Sequence, residues 1–169
     1  MASSAANGGA VAWSNPDNAK VSDNARAVAA SIAEETTSQY LHGSNFGFAI
    51  PVGATIDGVK IEVEGRVTVG AASSNFVNLI LAGNLVDDYE ISIPGLDGTD
   101  TYYATGGPTE LWGATLTPAI VNASNFGVAV FFYNGFPTAS TIEIDHIRVT
   151  VYYTGGAVAG SSAGFFATE

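Results

Sequence analysis

The chain has 169 residues, 47% of them hydrophobic and 12% charged, with sixteen acidic against five basic side chains and a net charge of −11. With a mean hydropathy of +0.24, this composition belongs to a folded domain with a core and excludes an intrinsically disordered chain. The acidic balance, with Lys20, Arg26, Lys60, Arg66 and Arg148 scattered along the sequence, excludes a basic stripe for nucleic-acid phosphates, and the lack of cysteine excludes a disulfide framework or thiolate metal site.

Residues 1–12, MASSAANGGAVA, are small and bury little surface, so they read as a flexible N-terminal arm. They carry neither a basic start nor a continuous apolar stretch, so no signal peptide is expected, and no run of about 18 apolar residues predicts a membrane span. Synthesis in a cytoplasm is the expectation. The domain proper is read as 13–154. Asn24 to Thr36 is Ala-rich and suits either a few helical turns behind an Asn or Asp cap or an edge strand. Phe46 to Ile50 reads as a strand ending at Pro51. From Val59 to Val63 apolar residues hold every second place, with Lys60 and Glu62 between them, the period of a half-buried strand.

Phe76 to Leu81 and Asp87 to Ile93 are further strands. The stretch from Leu96 to Gly113 is rich in turn residues and reads as a long loop. Thr117 to Asn122 predicts one helical turn, with Pro118 suited to its start. Phe126 to Tyr133 is a strand stopped by Asn134-Gly135, and Ile142 to Tyr153 alternates again. Short strands at regular spacing between Gly, Pro and Asn turns predict an all-β fold, an antiparallel β-sandwich or jelly roll with flexible N- and C-terminal arms. Residues 155–169 form a Gly/Ala-rich tail whose adjacent rings, Phe165 and Phe166, are candidates for docking back onto the domain or a neighbour.

An internal echo runs through this pattern. Ser44 to Ile50 (SNFGFAI) matches Ser124 to Val130 (SNFGVAV), and Ile56 to Val63 (IDGVKIEV) matches Ile144 to Val151 (IDHIRVTV). It predicts related strand pairs at equivalent places in two halves of a sandwich.

Chemistry is sparse. His42 precedes Gly43 in a predicted turn, and His146 follows Asp145, but no serine stands in a nucleophile-elbow context. Asp87-Asp88, Asp97-Gly98-Thr99-Asp100 and Glu143-x-Asp145 are the acidic groups to test for calcium, although turn formation alone explains Asp97-Gly98. Glu62 and Glu64 fall on one strand face, where alternation accounts for them without glycosidase chemistry. No dinucleotide fingerprint or P-loop is present. No catalytic residue, metal or cofactor is therefore expected. Tyr102, Tyr103 and Trp112 are the candidate surface rings, for a protein interface or for stacking on a glycan.

Trp13-Ser14-Asn15-Pro16-Asp17-Asn18-Ala19, Gln39-Tyr40-Leu41, Phe46-Gly47-Phe48-Ala49-Ile50-Pro51 leading to Gly53-Ala54, Ile56 and Gly58-Val59, Leu111-Trp112-Gly113 and the closing Ile147-Arg148-Val149-Thr150-Val151-Tyr152-Tyr153 together resemble a family of small jelly-roll structural proteins of tailed phages and prophages. The resemblance spans Trp13 to Tyr153. Its likeness to head-decoration (cement) proteins implies a virion protein on the capsid surface, a homo-oligomer such as a trimer, and contacts with the major capsid protein. It supplies no catalytic residues. Two other classes stand beside it: a carbohydrate-binding module of a phage fibre or cell surface, and a subunit of an extracellular filament.

Overall fold

The computed structural model describes residues 2–5, 9–71, 74–86, 91–156 and 165–168. Two long strands organise it. β5 (Ala54–Val69) and β11 (Ser140–Gly155), sixteen residues each, run antiparallel along nearly their whole length. β9 (Thr101–Gly106) pairs with the other edge of β5, while β2 (Ala27–Ile32) and β12 (Phe165–Thr168) share the second edge of β11. The opposing sheet centres on β10 (Gly127–Asn134), with β6 (Ser74–Leu81) on one side and β4 (Tyr40–Ser44) and the two-residue β3 (Thr36–Thr37) on the other. β1 (Ala2–Ala5) lies outside β4, and β7 (Asn84–Leu85) and β8 (Ile91–Ser92) lie outside β6. Every pairing within the two sheets is antiparallel, and the architecture among the described residues is the expected β-sandwich.

Alternation places the core. Leu41, Val77, Leu79, Val128, Val130 and Phe132 project inward from the seven-stranded sheet to meet Val59, Ile61, Val63, Ile142, Ile144, Ile147, Val149 and Val151 from the five-stranded sheet. Each such fully buried side chain contributes about 1.5–3 kcal/mol relative to exposure. The inward period slips once on β11, at the bulge between Ile144 and His146. Asp145 occupies the extra position and is buried, its carboxylate accepting from the backbone N–H groups of Asp23 and Asn24. Opposite the bulge, a Cβ on Gly65 would stand 2.5 Å from the Glu143 carbonyl oxygen, so only glycine fits.

Several expectations change. The Ala-rich segment is the edge strand β2, not a helix: Ala27, Ala29 and Ile32 are buried against the core, and burial overrides alanine's helix propensity. Phe46 to Ile50 is not a strand. Asn45 and Gly47 take positive φ, and the backbone N–H and C=O of Ile50 are both satisfied by the Asn122 side-chain amide, at 2.9 Å each. Part of the predicted loop, Thr101–Gly106, is strand β9, whose Thr and Tyr residues suit a pleated surface. The helical turn at Pro118–Val121 forms as read, with the Thr117 hydroxyl accepting from Ile120 N–H.

The segments read as arms each place four residues on a sheet edge, β1 on one sheet and β12 on the other; the backbones of Phe165 and Phe166 pair with Tyr153 and Tyr152. In the predicted strand Asp87 to Ile93, residues 87–90 lie outside the described residues and Ile91–Ser92 is strand. The echo divides. Ile61 and Val149, which hold the same place in its second half, are direct cross-strand partners, so those segments form one ribbon in one sheet rather than equivalent places in two halves. In the first half only the later copy is a strand, β10, while residues 45–50 are irregular.

Candidate functional site

The three rings singled out from sequence do not form one surface. Tyr102 and Tyr103 are neighbours on a strand and so face opposite ways. Tyr103 packs on the core, and its hydroxyl donates to Asp97 and to the Thr99 carbonyl, stapling the 97–100 turn. Trp112 is 0% exposed, with its indole N–H donating to the Val59 carbonyl at 2.9 Å. Its positive φ of 58° is held by Glu110, whose carboxylate accepts from the Trp112 backbone N–H at 2.7 Å. Gly106, at φ 71°, clears the space beside it: a Cβ there would meet the ring at 3.0 Å. Trp112 is thus a core residue, and Trp112→Ala is expected to lower stability by about 3–5 kcal/mol in a thermal or denaturant melt.

Tyr102 stands on the outer face of the five-stranded sheet, where charge is concentrated and paired. Arg148 grips Glu62 with two hydrogen bonds, 2.9 and 3.0 Å, and its guanidinium lies 3.9 Å over the Tyr102 ring. Lys60 also reaches Glu62. Arg148 above all holds the Glu62 carboxyl below its ordinary range, although burial works the other way. The Tyr102 hydroxyl sits 2.8 Å from His146 Nδ1, while the Asp145 carboxylate caps the backbone of Asp23 and Asn24. Arg66 binds Glu143, and Arg26 bridges Asp100 and Glu143.

The acidic groups tested for calcium are thereby consumed. Glu143 faces two arginines, Asp100 pairs with Arg26, and Asp97 accepts from Thr99 N–H and the Tyr103 hydroxyl in its own turn. Asp87 and Asp88 lie outside the described residues. Among the described residues no group of three or more His, Asp or Glu side chains is placed to hold a metal ion.

The outer face of the seven-stranded sheet is different. β4, β6 and β10 contain no Lys, Arg, Asp or Glu. Across them runs a row of rings: Tyr40 lies 4.8 Å edge-on to Phe131, and Phe131 stacks on Phe76 at 5.2 Å. The next row is polar at both ends and small in the middle, because Ala129 of β10 pairs with His42 of β4 and with Asn78 of β6. Asn78 is only 3% exposed, and its Oδ1 has no hydrogen-bond partner; His42 Nε2 is likewise buried and unpartnered. Burial lowers the His42 pKa, which keeps the imidazole neutral at neutral pH.

Three other buried polar atoms lack partners, Arg26 Nε, Asp100 Oδ1 and Glu64 Oε2, and all belong to the charged side of the molecule. An unsatisfied buried polar group costs about 1–3 kcal/mol, so a pair flanking one small residue on a ring-lined face asks for an explanation.

Sequence reasoning placed His42 in a turn, counted Tyr40 only among the rings that could stack on a sugar without choosing it, and passed over Phe76, Asn78 and Phe131. A signal did exist. Phe131, Phe132 and Tyr133 put apolar rings on both faces of one strand, which a half-wet strand does not do.

No family model and no curated protein matches this sequence. Among solved structures, one described as "CBM4 structure and function" is similar over 95% of this chain and 91% of that one, at 11% identity and a TM-score of 0.44. The sandwich assignment rests on the strand pairing itself.

Proposed function

We propose that this chain is a non-catalytic recognition domain that binds carbohydrate on the outer face of its seven-stranded sheet. The observation that carries the reading is the uncharged ring row Tyr40–Phe131–Phe76 beside two buried polar atoms that lack partners. Sugars offer both complements. Their C–H surfaces pack on aromatic rings, and their hydroxyls donate and accept hydrogen bonds at the polar margins of such a face. A contiguous aromatic face on a soluble domain is in general an interaction site. The test is a glycan array followed by calorimetric titration of the best binder. Wild-type protein is expected to bind, and Phe131→Ala to weaken binding at least tenfold with the fold retained by circular dichroism. Absence of binding to every glycan on the array rejects the reading.

A second reading keeps the motif resemblance in view: a decoration subunit on a virion capsid, in trimers or similar oligomers against the major capsid protein. In that case the same ring row packs on a capsid subunit instead of a sugar. Co-sedimentation with capsids, lost in Phe131→Ala, together with native mass measurement of the oligomer, separates the two.

A further inference from the structure

We infer that β9 pairs edge to edge with β9 of a second copy of this chain, so that two five-stranded sheets join about a two-fold axis at Tyr103. This pairing is independent of what the ring row binds. The two sheets end in different ways. β6 gives its far edge to β7 and β8, β4 gives its own to β1, and β2 exchanges backbone hydrogen bonds with Ser14. β12 and β9 end the five-stranded sheet, and β9 is the longer, six residues against four.

The direction of the free backbone groups follows from the ladder. Gly107 N–H donates to the Val59 carbonyl, and the β5–β9 register runs without a break from Lys60–Gly106 to Gly65–Thr101. Alternation then turns the N–H and C=O of Tyr103 and Thr105 toward β5, and those of Tyr102 and Ala104 away from it. Among the described residues nothing bonds those outward groups. Natural edges of this kind are usually blunted by a charge, a proline or a bulge. β9, with the sequence TYYATG, has none of the three, and its Thr and Tyr residues favour extended backbone. Neither outward residue shields the edge. Ala104 is small and exposed, and the Tyr102 ring leans across β5, its hydroxyl 2.8 Å from His146 on β11 and the Arg148 guanidinium 3.9 Å over its face.

A second copy fits this edge because the strand is complementary to itself. In the antiparallel register that sets Tyr103 opposite its own counterpart, Tyr102 faces Ala104 of the second copy, and Ala104 faces its Tyr102. Each of these pairs exchanges both of its N–H···O=C bonds. A large ring then stands beside a methyl group at both places, and no charged residue of one strand meets a like charge on the other. Such a contact uses the same patch twice, so it closes at the dimer. The opposing effect is the net charge of −11 on each copy, which salt screens. Pairing in the plane of the five-stranded sheet leaves the ring row of the other sheet uncovered.

The experiment uses the full chain without ligand: sedimentation velocity from low to high micromolar concentration, with hydrogen exchange read at single amides at both ends of that range. A reversible monomer–dimer equilibrium is expected, tightening as salt is raised. The amides of Tyr102 and Ala104 are expected to exchange at least tenfold more slowly in the dimer, while those of Tyr103 and Thr105, already bonded to β5, keep their rates. Ala104→Pro removes an N–H that the monomer does not use, so this variant is expected to stay monomeric with an unchanged circular dichroism spectrum. Should it fail to fold, exchange in the unmodified chain still decides. A chain that is monomeric throughout overturns the pairing. So does a dimer or trimer whose Tyr102 and Ala104 amides exchange freely, since its contact then lies on another surface.

Discussion

The two outer faces of the sandwich solve the same problem in opposite ways. On the five-stranded sheet, long charged side chains lie along the surface and engage one another: Glu62 takes Arg148 and Lys60, Glu143 takes Arg66 and Arg26, and Arg148 also covers Tyr102. On the seven-stranded sheet, β4, β6 and β10 present rings and short polar groups, and two of the buried polar atoms are left without partners. The five-stranded face pairs its cations with carboxylates, although Arg26 Nε, Asp100 Oδ1 and Glu64 Oε2 there lack hydrogen-bond partners. The seven-stranded face carries half-buried rings and, on β4, β6 and β10, no charged side chain, so what it can present to a partner is ring surface. The difference teaches where to look for function when motifs are silent: at the ring-bearing face that carries no ion pairs of its own.

Substitutions on the two faces are expected to move stability in opposite directions. Arg148→Ala strands the largely buried Glu62 carboxylate with Lys60 alone and uncovers Tyr102. Discounted for the part of the arginine exposed to water, the cost is about 1–2 kcal/mol, a fall of several degrees in melting temperature, with glycan affinity unchanged. Asn78→Leu does the reverse: it removes an acceptor with no partner, so stability is expected to stay level or rise by up to about 1 kcal/mol. A drop in stability for Asn78→Leu comparable with that for Arg148→Ala would erase the contrast.

Acid sharpens the same comparison more gently. Burial lowers the pKa values of His42 and His146 from 6.5. Below 6.5 the unfolded chain therefore takes up protons that the folded one refuses, and stability, complete above that pH, declines as pH falls toward the folded values. The carboxyl of Glu62, lowered from 4.5 chiefly by Arg148, contributes stability that is present above 4.5 and lost as pH falls further. Melting temperature followed from pH 7.5 downward is expected to decline in two stages. His42→Asn should diminish the first, and Arg148→Ala the second.

Much of the fold was legible because it is local. The alternation around Ile61 and Val63, the turn at Asn134-Gly135, and Thr117-Pro118 opening a helical turn all appear where they were expected. The errors have local causes too. Alanines at 27–33 carry no period to separate strand from helix, so packing against Ile142 and Ile144 decided the matter. Phe46 to Ile50 looks like a strand by composition, but the Asn122 amide takes its backbone bonds. Trp112 sits among turn residues and reads as exposed, yet its indole is bound to Val59, 53 residues away. The candidate site was the least legible part, since Tyr40, His42, Phe76, Asn78 and Phe131 come from three strands and carry no motif.

By itself the sequence determined the two-residue period, the turns, and the lack of charge in the segments that became β4, β6 and β10, because these are properties of neighbouring residues and the pleated backbone. Only the tertiary structure decided that every lysine and arginine would be met by a carboxylate, that Tyr102 would stand on the outer face while Tyr103 and Trp112 turned to the core, and that Ala129 would separate His42 from Asn78. Those outcomes depend on register, which is fixed by hydrogen bonds and side-chain packing between strands distant in the chain, and a slip of one residue would exchange the two faces of every strand.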